Sequence, residues 1–148
     1  MKLTEEILDI LVNTGEASLG TIENGRPYVS AVGYVYRPVD NPENCGHLYL
    51  LLSDLARHAR NLVTSSPVSL LVIEKKSGIP VHELRRMSLQ GRAARIRDAA
   101  LFESLRSDYI KQFPRSEMFF QLPDFRFYQV TIDEVHWIGG FGKAGTFK

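Results

Sequence analysis

The chain has 148 residues, 44% hydrophobic and 24% charged, the balance of one ordinary folded domain spanning 1–148 rather than a disordered, collagenous or low-complexity chain. Its 18 basic and 17 acidic side chains leave a formal net charge of +1, so no large field draws it onto nucleic acid or an anionic membrane. No apolar run approaches the roughly 20 residues that span a bilayer, and the single cysteine, Cys45, cannot close an intrachain disulfide, which points to a reducing cytoplasm.

Glu5, Glu6 and Asp9 interrupt the first apolar residues where a signal peptide would have an unbroken apolar run, so no export signal is expected, and the pattern predicts a short helix from Thr4 to the stop at Gly15. The period then changes. Segments 17–22 and 27–37, rich in Val, Tyr and Ile, flank Asn24-Gly25, the strongest short-range hairpin signal. A loop of Pro, Asn and Gly residues separates this pair from a nearly continuous apolar strand at 47–53. Leu55, Ala59 and Leu62 recur at helical spacing after Ser53 and Asp54, either of which can cap a helix reaching about Ser65. Segments 68–74 and 86–97 read as strands around a polar loop. Asp98 caps a second helix that carries Leu101, Leu105 and Tyr109 on one face and ends near Phe113-Pro114. A last strand covers 125–138, and the residues beyond it read as a flexible glycine-rich tail. This order predicts a mainly β fold with helical additions, an antiparallel barrel rather than a doubly wound sheet. Strands 28–36 and 47–52 are apolar on both faces, more than one core can cover, which predicts a dimer.

Most familiar site signatures fail. Residues 140–145 match G-x-G-x-x-G, yet no helix can follow in the three residues that remain, and Ala144 stands where a P-loop needs Ser or Thr. His47, His58, His82 and His136 lie in no metal-binding spacing, so no metal site is assigned, and no serine elbow or activated cysteine provides a nucleophile. Catalytic residues stay unassigned. The stretch 53–62 is more informative. In a helix, Asp54, Arg57, His58 and Asn61 share a polar face at i, i+3, i+4 and i+7, placing a basic pair in the first turns. Cations there oppose the helix dipole, a small penalty that a bound phosphate would reverse, with Ser53 and Arg57 as donors. A solvated polar face is the other reading, and Asp54 favours it unless it serves as a cap.

The string Leu50-Leu51-Leu52-Ser53-Asp54-Leu55-Ala56-Arg57-His58-Ala59-Arg60-Asn61-Leu62, followed by Ser66-Pro67-Val68-Ser69-Leu70-Leu71, closely resembles the pyridoxamine 5'-phosphate oxidase-like FMN-binding split barrels. Within them it looks most like the haem-utilisation branch. Arg86 to Ala93, Pro123 to Arg126 and the ending Ile138 to Ala144 add to the likeness, which runs from about residue 17 to 144. The resemblance implies an antiparallel split barrel, a homodimer with an FMN in each cleft at the subunit interface, and a small-molecule substrate. By position it nominates Ser30 and Val32, Leu52 and Ser53, and Arg57 and His58 for the phosphate. Arg86 matches a position facing the flavin, and Asn61 lies one turn further along the helix. His58 stands where the oxidases carry Lys, which makes that cation pH-dependent. No match to the oxidases' Arg-containing substrate motif is present. Haem is the alternative cofactor, but no His, Cys, Met or Tyr follows His136 to serve as an axial ligand.

Overall fold

A computed structural model describes residues 4–41, 44–140 and 142–148. The chain opens with α1 (Glu5–Thr14), where Thr4 Oγ1 accepts a hydrogen bond from the Ile7 N–H at 3.3 Å and Gly15, at φ +73°, closes the far end in the left-handed region. β1 (Glu16–Glu23) and β2 (Arg26–Arg37) form the expected hairpin, and positive φ at both Asn24 (50°) and Gly25 (76°) gives the turn the twist two antiparallel strands require. Then follow β3 (His47–Ser53), α2 (Arg57–Thr64), β4 (Pro67–Ile73) and β5 (Arg85–Arg95). α3 (Ala99–Gln112) starts at Asp98, whose carboxylate accepts from the Leu101 N–H at 2.9 Å. A 3-10 segment, Pro114–Gln121, leads into β6 (Phe125–Gly139) and β7 (Ala144–Phe147).

All pairings are antiparallel, in the order β3-β2-β1-β4-β5-β6-β7, and an additional β3–β6 ladder closes the first six strands into a barrel. Alternation along each strand fills the interior with Leu19, Tyr34, Leu48, Leu50, Leu70, Met87, Leu89 and Val130, all 2% exposed or less. A second cluster lies outside the wall. Val35, Tyr49, Leu51 and Phe127 point away from the barrel axis and are covered by Leu105 and Tyr109 of α3. Among the described residues no helix is long and apolar enough to cross a membrane.

Three expectations change. α2 begins at Arg57, not at 53 or 54, because both candidate caps are engaged elsewhere. Ser53 ends β3 and donates to Asp124 Oδ2 at 2.5 Å, while Asp54 lies 3.6 Å from the Arg126 guanidinium. The N-cap falls to Ala56, which has no side chain to offer. Second, the glycine-rich tail adds β7 to the edge of β6, with Trp137 opposite Gly145. Third, the chain's own α3 buries the outward face of β3 and, with it, Val35 of β2, so of these two strands only the first half of β2 keeps an uncovered outward face, with Val29 70% exposed.

Candidate functional site

The barrel is split at one place. β2 pairs with β1 over residues 26–33 but with β3 only over 34–37, and beyond Leu50 β3 pairs with β6 alone. Each strand therefore presents a backbone edge that no strand covers, and such edges need other partners. α2 packs into the opening, against β1, β2 and β3.

This geometry gathers every nominated residue except Arg86. Ser30 and Val32 lie on the open stretch of β2, Leu52 and Ser53 on that of β3, and Arg57, His58 and Asn61 on α2. Their contributions differ. Leu52 and Val32 are 1% and 8% exposed and turn their side chains into the core, so only their backbone faces the split. Asn61, buried at 5%, donates to Thr21 Oγ1 at 3.0 Å and ties α2 to β1. Ser53 gives its hydroxyl proton to Asp124, which corrects its reading as a free donor. Arg86 stands on the outward face of β5 opposite Ile73, and its guanidinium donates to the Val81 and Leu84 carbonyls at 2.9 and 3.0 Å.

Arg57 and His58 carry the electrostatics. The Arg57 guanidinium forms a forked ion pair with Glu23 and lies over the Tyr28 ring at 4.5 Å. That guanidinium holds the Glu23 carboxyl below its ordinary range. Glu23 and Tyr28 flank the hairpin turn, and nothing in their local sequence ties them to a residue thirty positions on. His58 Nδ1 sits 2.8 Å from Ser30 Oγ, and burial pushes its imidazole below the ordinary 6.5. His58 is thus an uncharged hydrogen-bonding group at neutral pH, so the basic pair reduces to one cation, Arg57.

The sign of the pH effect follows. A depressed imidazole pKa means the unfolded chain takes up the proton first as pH falls through 6.5, so stability drops from there until the folded-state value is passed. His47, lowered by burial too, contributes in the same direction. We expect the urea midpoint to fall between about pH 7.5 and 5.5 and His58→Asn to flatten that slope, leaving the smaller share due to His47. An unchanged slope in the variant excludes a buried neutral His58.

Beside the split runs a groove of about 760 Å³ between β1, β2 and β4 on one side and the 3-10 segment on the other. Val32 belongs to both. Ala31, Leu71, Ile73, Phe119 and Met118 give it apolar walls, with Lys75 and Arg115 among its lining residues. Its size lies within the roughly 300–1,000 Å³ of small-molecule sites.

An antiparallel barrel opened along one seam, with a helix in the seam, defines the split-barrel class of the pyridoxamine 5'-phosphate oxidase-like superfamily. Within it, the chain belongs to the CREG beta-barrel family, whose model matches residues 9–147. It is similar to the haem oxygenase HutZ of Vibrio cholerae, with 26% identity over 97% of this chain and 80% of HutZ. The crystal structure of HutZ from Vibrio cholerae, the haem storage protein, superposes with a TM-score of 0.71 at 27% identity, over 90% of this chain and 92% of that one. Two more distant likenesses establish the fold alone. A haem-binding protein from Mycobacterium smegmatis gives a TM-score of 0.80 at 21% identity, over 100% of this chain and 60% of that one. An FAD-binding protein from Mesorhizobium loti gives 0.68 at 18%, over 90% and 92%.

Proposed function

We propose that this chain is a homodimeric FMN-binding redox protein in which Arg57 and the start of α2 hold the flavin phosphate. The observation that carries the reading is the convergence of Ser30, Arg57 and His58 on a helix start whose N-cap, Ala56, has no side-chain hydrogen bond. Such a start leaves backbone N–H groups for an oxyanion, and a planar guanidinium beside it matches phosphate geometry. The residues fit the group on one condition. Glu23 holds Arg57 in the free chain, so a phosphate has to share or replace that carboxylate. Bound FMN would supply electron transfer, while the protein supplies binding and orientation. Val32 and its neighbours would floor the ring seat.

The dimer reading rests on the uncovered stretch of β2 around Val29, on Ile22 at 38% and Leu71 at 36% exposure beside it, and on Met118 at 61% at the groove rim. Light scattering at micromolar concentration is expected to give twice the chain mass. A stable FMN-loaded monomer overturns the reading.

Similarity to HutZ favours a second reading, haem binding with or without degradation. Of the imidazoles, His58 is the one at the split, and His136 Nδ1 is already 2.7 Å from Thr146 Oγ1. Titration of the cofactor-free protein with FMN and with haemin separates the two. Stoichiometric FMN uptake with no shift of the haemin absorption band supports the flavin reading. A histidine-type haem spectrum that disappears in His58→Ala replaces it, and one that survives moves the ligand to His47, His82 or His136.

A further inference from the structure

We propose that the cavity under the back of α2 is a second anion site, built by Arg60, Arg95, Arg97 and the Tyr128 hydroxyl, for a phosphate- or diphosphate-bearing small molecule. The cavity, about 450 Å³, opens at the end of the barrel between α2 and the β5–β6 ladder. Register builds it. Arg95 on β5 stands directly opposite Tyr128 on β6, so both side chains project to one face, about 5 Å apart at Cβ. Arg97 follows just beyond the strand, and Arg60 comes down from α2. The floor is Ala93 and Ala94, small enough to leave the space open.

Charge balance makes this arrangement unusual for a bare surface. Three exposed arginines line one cavity, and among the described residues none of them has an ion pair. The one carboxylate in the walls, Asp54, is paired with Arg126 at 3.6 Å, and Glu23, which also feels Arg60, is bound by Arg57. Tyr128 adds a pointer to a ligand. It is 7% exposed and lines the cavity, yet its hydroxyl takes part in no hydrogen bond with the described residues. Burial and Asp54 raise its pKa, so at neutral pH it is a proton donor. Forked guanidinium groups and a hydroxyl donor suit the several oxygens of a phosphate, and an anion would offset the local excess of positive charge.

The site does not rest on the FMN reading, because Arg57 is not among its walls. Calorimetric titration with inorganic pyrophosphate at low ionic strength tests it in the full chain. Saturable one-to-one binding is expected, weakened about tenfold or more in Arg95→Gln and Arg97→Gln and several-fold in Tyr128→Phe. Binding should be unchanged in Arg57→Ala and in Arg92→Gln, an exposed arginine on the outward face of β5. Circular dichroism melting of each variant confirms folding, and Tyr128→Phe removes only the hydroxyl should an arginine variant misfold. No saturable binding by the natural chain, or an equal loss in Arg92→Gln, overturns the proposal, the latter by reducing it to net charge. Competition between FMN and pyrophosphate that is lost in Arg57→Ala together with pyrophosphate binding overturns the proposal, because the anion then sits at the α2 start.

Discussion

Phe127→Ala is expected to lower the unfolding free energy by about 3–5 kcal/mol, the cost of emptying a large, fully enclosed aromatic site. Phe127 is 0% exposed and sits where β6 meets α3, not inside the barrel. Its ring makes edge contacts with Phe102 at 5.3 Å and Tyr109 at 5.9 Å, and lies 5.8 Å from Phe120. Those contacts add to the loss, since well-oriented aromatic pairs contribute about 0.5–1.5 kcal/mol beyond their area. Removing the ring unlocks α3 and the 3-10 segment, which form one wall of the groove. Urea unfolding at fixed protein concentration measures the effect, with Val81→Ala, 55% exposed, as a control expected within about 0.5 kcal/mol of the natural chain. A Phe127→Ala loss below about 1 kcal/mol would show that α3 is not packed as described.

Arg57→Ala is expected to weaken FMN binding about tenfold or more at low ionic strength, because it removes a charge-assisted hydrogen bond to the phosphate. A second effect adds to the loss. With the guanidinium gone, Glu23 is left without its partner beside the phosphate, and a like charge replaces an attraction. Glu23→Gln runs the other way, freeing Arg57 and tightening FMN. Both effects shrink as salt is added, because the Arg57 side chain is 53% exposed and its field is screened. Riboflavin, which lacks the phosphate, should bind weakly and ignore both substitutions. Equal calorimetric affinities for riboflavin and FMN would falsify the placement of the phosphate at Arg57.

The nominated residues were legible through the helix pattern and the family likeness, yet their chemistry was not. The spacing of Arg57 and His58 placed both on α2, but the state of His58 depends on burial against Ser30, a residue 28 positions away on another strand. Ser53 looked like a free donor or a cap because its neighbours in sequence offer it nothing better. Its partner, Asp124, lies 71 positions on and is brought to it by the β3–β6 ladder. Arg86 belonged to a matching string but faces outward, a consequence of strand parity at that register.

Most elements are legible in the sequence because their signals are local, the start of α2 and strand β7 excepted. Asn24-Gly25 admits the left-handed backbone a tight hairpin needs, Asp98 caps α3 from three residues away, and continuous apolar runs mark β3 and β4. How those elements share their surfaces depends on packing between distant segments. Apolar residues on both faces of β3 call for two coverings, and a sequence cannot say whether the second is another chain or α3, since burial rewards contact without regard to connectivity. It is α3 for β3 and for Val35 of β2, while β2 stays bare around Val29. The tail became β7 for a like reason, as the outer edge of β6 offers unpaired backbone groups that any extended segment within reach will satisfy.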